Sequence, residues 1–114
     1  MAKHPRFEIS TDKQDKYRFN LTAANGQVIL SSQGYANKSG CKNGIESVKT
    51  NSGNDGNYER KESSNGKHFF NLLAANKQVI GTSQMYAAKD SMENGIASVK
   101  KNAPAAEIKD TTAG

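Results

Sequence analysis

The chain writes one module twice. Residues 19–49 (FNLTAANGQVILSSQGYANKSGCKNGIESVK) return as residues 70–100 (FNLLAANKQVIGTSQMYAAKDSMENGIASVK), aligned without a gap at an offset of 51 residues, with 20 of 31 positions identical. Agreement at that level marks an internal duplication, so both copies must adopt one local fold and together bury what one copy leaves open. The match extends weakly upstream, pairing Phe7 with Tyr58 and Glu8 with Glu59. The modules are therefore read as residues 1–51 and 52–102, followed by a tail, residues 103–114. A unit of about 50–60 residues is near the lower limit for an independent core, so the two modules are expected to form one compact unit.

Each module reads as three strands and a helix. In the first, RFEIS sets Phe7 and Ile9 on one face, and KYRFNL alternates Tyr17, Phe19 and Leu21 against Lys16, Arg18 and Asn20. AANG is a tight-turn sequence in which Asn25-Gly26 tolerates positive backbone angles, and QVILSS supplies the third strand. The second module repeats this with YERKES, KHFFNL and QVIGTS; its turn is AANK, where Asn76 is expected in the left-handed region. Arg60 stands where Ile9 stood and Gly81 where Leu30 stood, so the second half is expected to pack differently. Cys41, Ile45 and Val48, and again Met92, Ile96 and Val99, fall at i, i+4 and i+7 and make one apolar helix stripe. Ser39 or a neighbour would cap the first helix and Asp90 the second, with Tyr35 and Tyr86 anchoring the links. The expected class is α+β: two tandem βββα repeats, each a three-stranded antiparallel meander plus one helix, packed with pseudo-two-fold symmetry.

Composition narrows the chemistry. The 114 residues have no long apolar run for a membrane span. MAKHPRFEIS lacks the apolar stretch of a secretory signal, so a cytoplasmic location is expected, with no membrane partner. One cysteine, Cys41, allows no internal disulfide. Its repeat partner is Met92, a packing residue, so Cys41 reads as core filler rather than a nucleophile. His4 and His68 are too few for a metal site, and neither Glu8 with Glu59 nor any other carboxylates recur as an acid and nucleophile pair. No catalytic residue, cofactor or metal is assigned. GNDGN at residues 53–57 reads as the flexible link between modules, and residues 51–57 as its hinge.

Two sets of residues remain as candidate binding groups. The formal charge of +5 and the basic residues Lys16, Arg18 and Lys67 beside Phe69, which stands where Arg18 stood, suit electrostatic and stacking contact with single-stranded nucleic acid. Phe69 is also expected at the interface between modules, covered by the tail. Asn43 and Asn94 precede Gly44 and Gly95 inside the helices; the glycines are read chiefly as points of close approach, and the amides as possible ligand contacts. Three-stranded sheets also have free edges open to strand addition, one of which residues 105–109 could occupy in cis.

The doubled FNLxAANxQVI, the SQxY that follows, and NGIxSVK in each helix closely resemble the YegP-like proteins of bacteria, from the first strand to AEIKDTT. The resemblance implies one or two copies of a βββα module, with single-copy members pairing as dimers. It implies no activity, so no site residue is carried over. The function expected is a non-enzymatic binding or accessory role, contacting nucleic acid through the basic strand faces. The alternative is a protein-interaction module using a sheet edge or helix face; a small-molecule site or enzyme ranks third. A monomer or weak dimer is expected, with a nucleic-acid or protein partner.

Overall fold

The first strand of each module pairs with the second and the second with the third. In the computed structural model, which describes residues 5–112, β1 (Arg6–Thr11), β2 (Tyr17–Thr22), β3 (Val28–Ser31) and α1 (Lys38–Asn51) repeat as β4 (Tyr58–Glu62), β5 (His68–Leu73), β6 (Val79–Thr82) and α2 (Lys89–Asn102). This is the α+β arrangement of two βββα units. A last strand, β7 (Glu107–Asp110), comes from the tail. All seven strands join one sheet in the order β4-β5-β6-β3-β2-β1-β7. Apart from β7, that order is symmetric about the β6–β3 seam. The ladder pair there is Ser31 with Thr82, residues 51 apart, so a pseudo-two-fold axis passes between them.

Leu30 and Gly81 flank that axis, and their difference follows from it. Equivalent side chains near a two-fold axis meet each other, so two leucines would compete for one space. A Cβ placed on Gly81 would stand 2.7 Å from both Cγ and Cδ2 of Leu30. The chain fills the space once, with a Leu30 that is fully buried, and leaves its counterpart without a side chain. Substitution at this pair is what lets the two halves close.

The helices lie on one face of the sheet. Their stripes, Cys41, Ile45 and Val48 with Met92, Ile96 and Val99, are buried together with Phe7, Ile9, Phe19, Leu21, Phe70 and Leu72. Both helices run unbroken through their Asn-Gly pairs. A Cβ on Gly44 would lie 2.5 Å from the Tyr35 hydroxyl and 3.0 Å from Phe19 Cε2, and Tyr86 crowds Gly95 in the same way. Each glycine therefore admits the tyrosine that leads into its own helix. These tyrosines are pinned by bridges to the second strands, Tyr17 with Tyr35 and His68 with Tyr86.

Several local expectations are corrected. Asn37 caps α1, its Oδ1 accepting from the Gly40 N–H at 2.8 Å; Ser39 lies inside the helix. The cap position of α2 is Ala88, with no side-chain bond, and Asp90 lies in its first turn. The turns are longer than a two-residue primed turn. Gly26 N–H donates to Ala23 O and Ala23 N–H to Gln27 O, a type I turn closed by a left-handed bulge residue. That residue is Gly26 (φ 87°) and, in the second module, Lys77 (φ 71°) rather than Asn76.

The link between modules is braced rather than a free hinge. Residue 51 ends α1, and Asp55–Asn57 form a 3-10 turn. Asn57 Nδ2 donates to Asn51 O at 3.2 Å, and the Tyr58 hydroxyl to Ser52 O at 2.7 Å. Asp55 accepts from both Lys100 and Arg60.

Candidate functional site

The face of the sheet away from the helices carries most of the sequence-predicted binding residues. Strand alternation sets Phe19 and Leu21 inward and Arg18 and Asn20 outward. Ser31 Oγ donates to Asn20 Oδ1 and Thr82 Oγ1 to Asn71 Oδ1, both at 2.8 Å, so an equivalent hydroxyl–amide pair stands on each side of the seam in the middle of this face. A groove of about 510 Å³ opens over it, lined by Arg18, Ser31, Gln33, Thr82 and Gln84 among others, with no helix residue. Phe69 lies on this face, half-buried and in register with Lys61. The expectation that it fills the interface between modules fails because that interface is the β3–β6 seam and Phe69 is on β5. The tail, at the far edge on β1, does not cover it.

The basic residues of this face are largely matched by acids. Arg18 Nε pairs with Asp12 at 2.8 Å. Asp12 is held below the usual carboxylate range by the backbone N–H of Lys16 and by Arg18. Arg6 pairs with Glu8, and Lys61 approaches Glu59 at 3.9 Å. Lys16 and Lys67 remain exposed in the turns. The face is therefore mixed in charge, not a continuous positive surface.

The other candidates are scattered. Asn94 lines a hollow of about 380 Å³ between α2 and the β2–β3 turn, with Asn25, Ser98 and Lys101. Asn43, exposed on α1, does not line it, and Glu46 and Thr50 stand where Ala97 and Lys101 stand. Cys41 is fully buried, and burial followed by the Asp110 charge pushes its thiol up to about 11. His68 is half-buried, bridged through its backbone to Tyr86; His4 lies outside the described residues. Among the described residues no group of three or more His, Cys, Asp or Glu side chains could hold a metal ion, and no helix is long and apolar enough to cross a membrane.

The two sheet edges differ, and sequence reasoning missed what that difference leaves. At one edge β7 runs parallel to β1, with Phe7 opposite Ile108 and Ile9 opposite Asp110. Asp110 forms an ion pair with Lys38 at 2.8 Å, and Thr111 donates from both N–H and Oγ1 to Ile9 O. The Lys38 and Thr112 hydrogen bonds hold the Asp110 carboxyl far below its ordinary range. At the other edge β4 has no outer neighbour among the described residues. Beside it lies a depression of about 210 Å³ lined by Arg60, Lys61, Glu62, His68, Lys89 and Met92. At the 51-residue offset these are the counterparts of Ile9, Ser10, Thr11, Tyr17, Lys38 and Cys41, of which Ile9, Lys38 and Cys41 neighbour the docked Asp110. The signal in the sequence was Arg60 in the place of a buried Ile9.

Arg60 bonds Glu93 through Nε at 2.6 Å and Asp55 through Nη2 at 3.1 Å. Those contacts raise the guanidinium pKa further and hold Glu93 low, while Lys100 and then Arg60 hold Asp55 low.

The chain resembles known proteins along almost its whole length. The family model DUF1508, a domain of unknown function, matches residues 12–59 and again 63–110. Each match ends on the strand that follows a helix, β4 in the first and β7 in the second. A UPF0339 protein from the ptx operon 5' region of Stutzerimonas stutzeri is 56% identical over 102 residues, 90% of this chain and 92% of that one. The UPF0339 protein YegP of Escherichia coli K12 is 50% identical over 106 residues, covering 93% and 96%. The solution NMR structure of Escherichia coli yegP, described as a protein of unknown function, superposes with a TM-score of 0.90 at 48% identity, covering 100% of this chain and 97% of that one. That of a UPF0339 protein from Shewanella oneidensis gives 0.87 at 48% identity, covering 92% and 89%.

Proposed function

The chain belongs to the DUF1508 family of unknown function, and from its geometry we propose that it is a non-enzymatic binding protein that takes up an extended protein segment on the free edge of β4. The observation that carries this reading is the unequal treatment of two equivalent edges: β1 already holds a strand, β7, while β4 has room for one. An unpaired edge offers backbone N–H and C=O groups to any extended segment, and side chains then decide which segment stays. The charges of YERKE make indiscriminate edge-to-edge pairing unfavourable. They leave the backbone available to a partner with complementary charges. A cytoplasmic setting, as a monomer or weak dimer, belongs to the same reading.

The test is amide exchange and NMR shift mapping of the whole protein with extended peptides. Protection gained at β4 and not at β1 supports the reading, and an indifferent β4 across a varied peptide set refutes it. A second reading, single-stranded nucleic acid on the open face, is favoured by Arg18 at the seam groove and Phe69 at the equivalent place. The pairing of Arg18 with Asp12 weighs against it. It requires saturable anisotropy changes with single-stranded DNA or RNA that weaken steeply with salt and are lost in Arg18→Glu. Flat curves at low salt dispose of it.

A further inference from the structure

Resting on the strand-addition reading above, we propose that the β4 edge is specific for a segment of another protein carrying a carboxylate, which Lys89 and Arg60 hold in the depression behind the strand. The chain contains the template. In the first half Asp110 enters the space bounded by Ile9, Tyr17, Lys38 and Cys41, and its carboxylate meets Lys38 Nζ at 2.8 Å. In the second half the corresponding space, bounded by Arg60, His68, Lys89 and Met92, remains open. Lys89 keeps the cation in place of Lys38, and Arg60 adds a second where Ile9 was neutral. The empty half therefore keeps the lysine that seats a carboxylate in the other half and sets a guanidinium, paired with Glu93 and Asp55, beside it.

Register extends the match beyond one residue. In the β1–β7 pair, Lys109 stands opposite Glu8 and Asp110 opposite Ile9. Moved by 51 residues, the same segment would set its lysine opposite Glu59 and its aspartate opposite Arg60. A parallel strand with a basic residue followed by an acidic one thus finds an opposite charge at both positions. Glu93 and Asp55 occupy Arg60 in the free chain, so Arg60 would share its donors, while Lys89 is exposed at the first position of α2. The occupant is a segment of another protein because the chain's own tail is already held in cis by β1.

The test uses the whole isotope-labelled protein and a synthetic peptide of the sequence that pairs with the equivalent edge of β1, AEIKDTT, beside its Asp110→Asn form. The aspartate peptide should shift the amides of β4 and of Lys89 saturably. The asparagine peptide, or the Lys89→Glu protein, should bind about fivefold more weakly, the size of one exposed ion pair. Lys89→Glu sets an acid at a helix N-terminus, which the helix tolerates, so folding is not at stake. Equal binding of both peptides at β4 would overturn the carboxylate seat while leaving strand addition standing. No shift at β4 with either would remove both, and shifts at β1 would mean that the peptide only displaces the resident tail. Concentration-dependent oligomers of the chain dissolved by the peptide would make a second copy the occupant and overturn the assignment to another protein.

Discussion

Exchanging Leu30 and Gly81 tests whether the pseudo-two-fold axis determines the packing. Gly81→Leu adds a branched side chain whose first carbon alone would sit 2.7 Å from Leu30. Overpacking of that kind costs about 1–3 kcal/mol, and more if the seam opens. Leu30→Gly removes a fully buried side chain and should cost about 3–5 kcal/mol from lost burial and the remaining cavity. The double variant moves the leucine across the axis into equivalent surroundings, and a volume-conserving move should cost under about 1.5 kcal/mol. The coupling between the two sites is then at least about 2.5 kcal/mol, near the upper range for residues in contact. Urea unfolding followed by circular dichroism reads this directly. With a slope of about 1.5 kcal/mol/M, the double variant should unfold about 2 M higher than additivity allows. Additive losses, or a Gly81→Leu protein as stable as the parent, would refute the argument that one leucine serves both halves.

Gly44→Ala should lose about 1–3 kcal/mol although alanine is the better helix former, because its Cβ meets Tyr35 at 2.5 Å; adding Tyr35→Phe should restore part of the loss in a thermal melt. Lys77→Gly should raise the urea midpoint by the equivalent of about 1 kcal/mol, since Lys77 holds φ at 71° where its counterpart is Gly26. Asp110→Asn should loosen β7 near neutral pH, read as faster amide exchange at residues 107–110. The sign follows from linkage: the folded carboxyl is depressed, so its contribution is fully present above the unfolded value of about 3.9 and is lost as pH falls through the folded one. The gap between variant and parent should therefore narrow below about pH 4.

What the sequence made legible was whatever repeats with a period. The 51-residue offset and strand alternation were enough for the meander of each module and for Phe19 and Leu21 against Arg18, and helical spacing for the buried stripes of Cys41, Ile45, Val48 and their counterparts. The joining of the two meanders at the β3–β6 seam carries no such period. Capping was less legible: Asn37 and Ser39 are both good cap types two residues apart, and only backbone angles separate them. Turn type was similarly hidden, because AANG suits both a primed turn and a type I turn with a left-handed bulge. The candidate site was least legible. Lys89 and Arg60 meet only because α2 lies behind the edge strand, and the depression has meaning only once Asp110 is seen in its counterpart.

Three departures from symmetry, Leu30 with Gly81, Ile9 with Arg60 and Arg18 with Phe69, share one physical logic. Two identical chains must present the same residue at both equivalent positions, so a residue that suits only one side of the axis is excluded. Joining the copies in one chain removes that restriction. At the axis it allows one leucine to fill a space that two could not share. At the edges it lets Ile9 be sealed under β7 while Arg60 faces an open depression. On the open face it pairs a cation on one side with an aromatic ring on the other. The first departure stabilises the fold. The second sets a charged residue where the packed alternative exists 51 residues away, on the module edge that carries no added strand among the described residues. A solvated edge needs charge, but it does not require a lysine and an arginine around the space that a carboxylate fills in the other half. That coincidence of charge, cavity and open edge makes β4 the place to look for a partner.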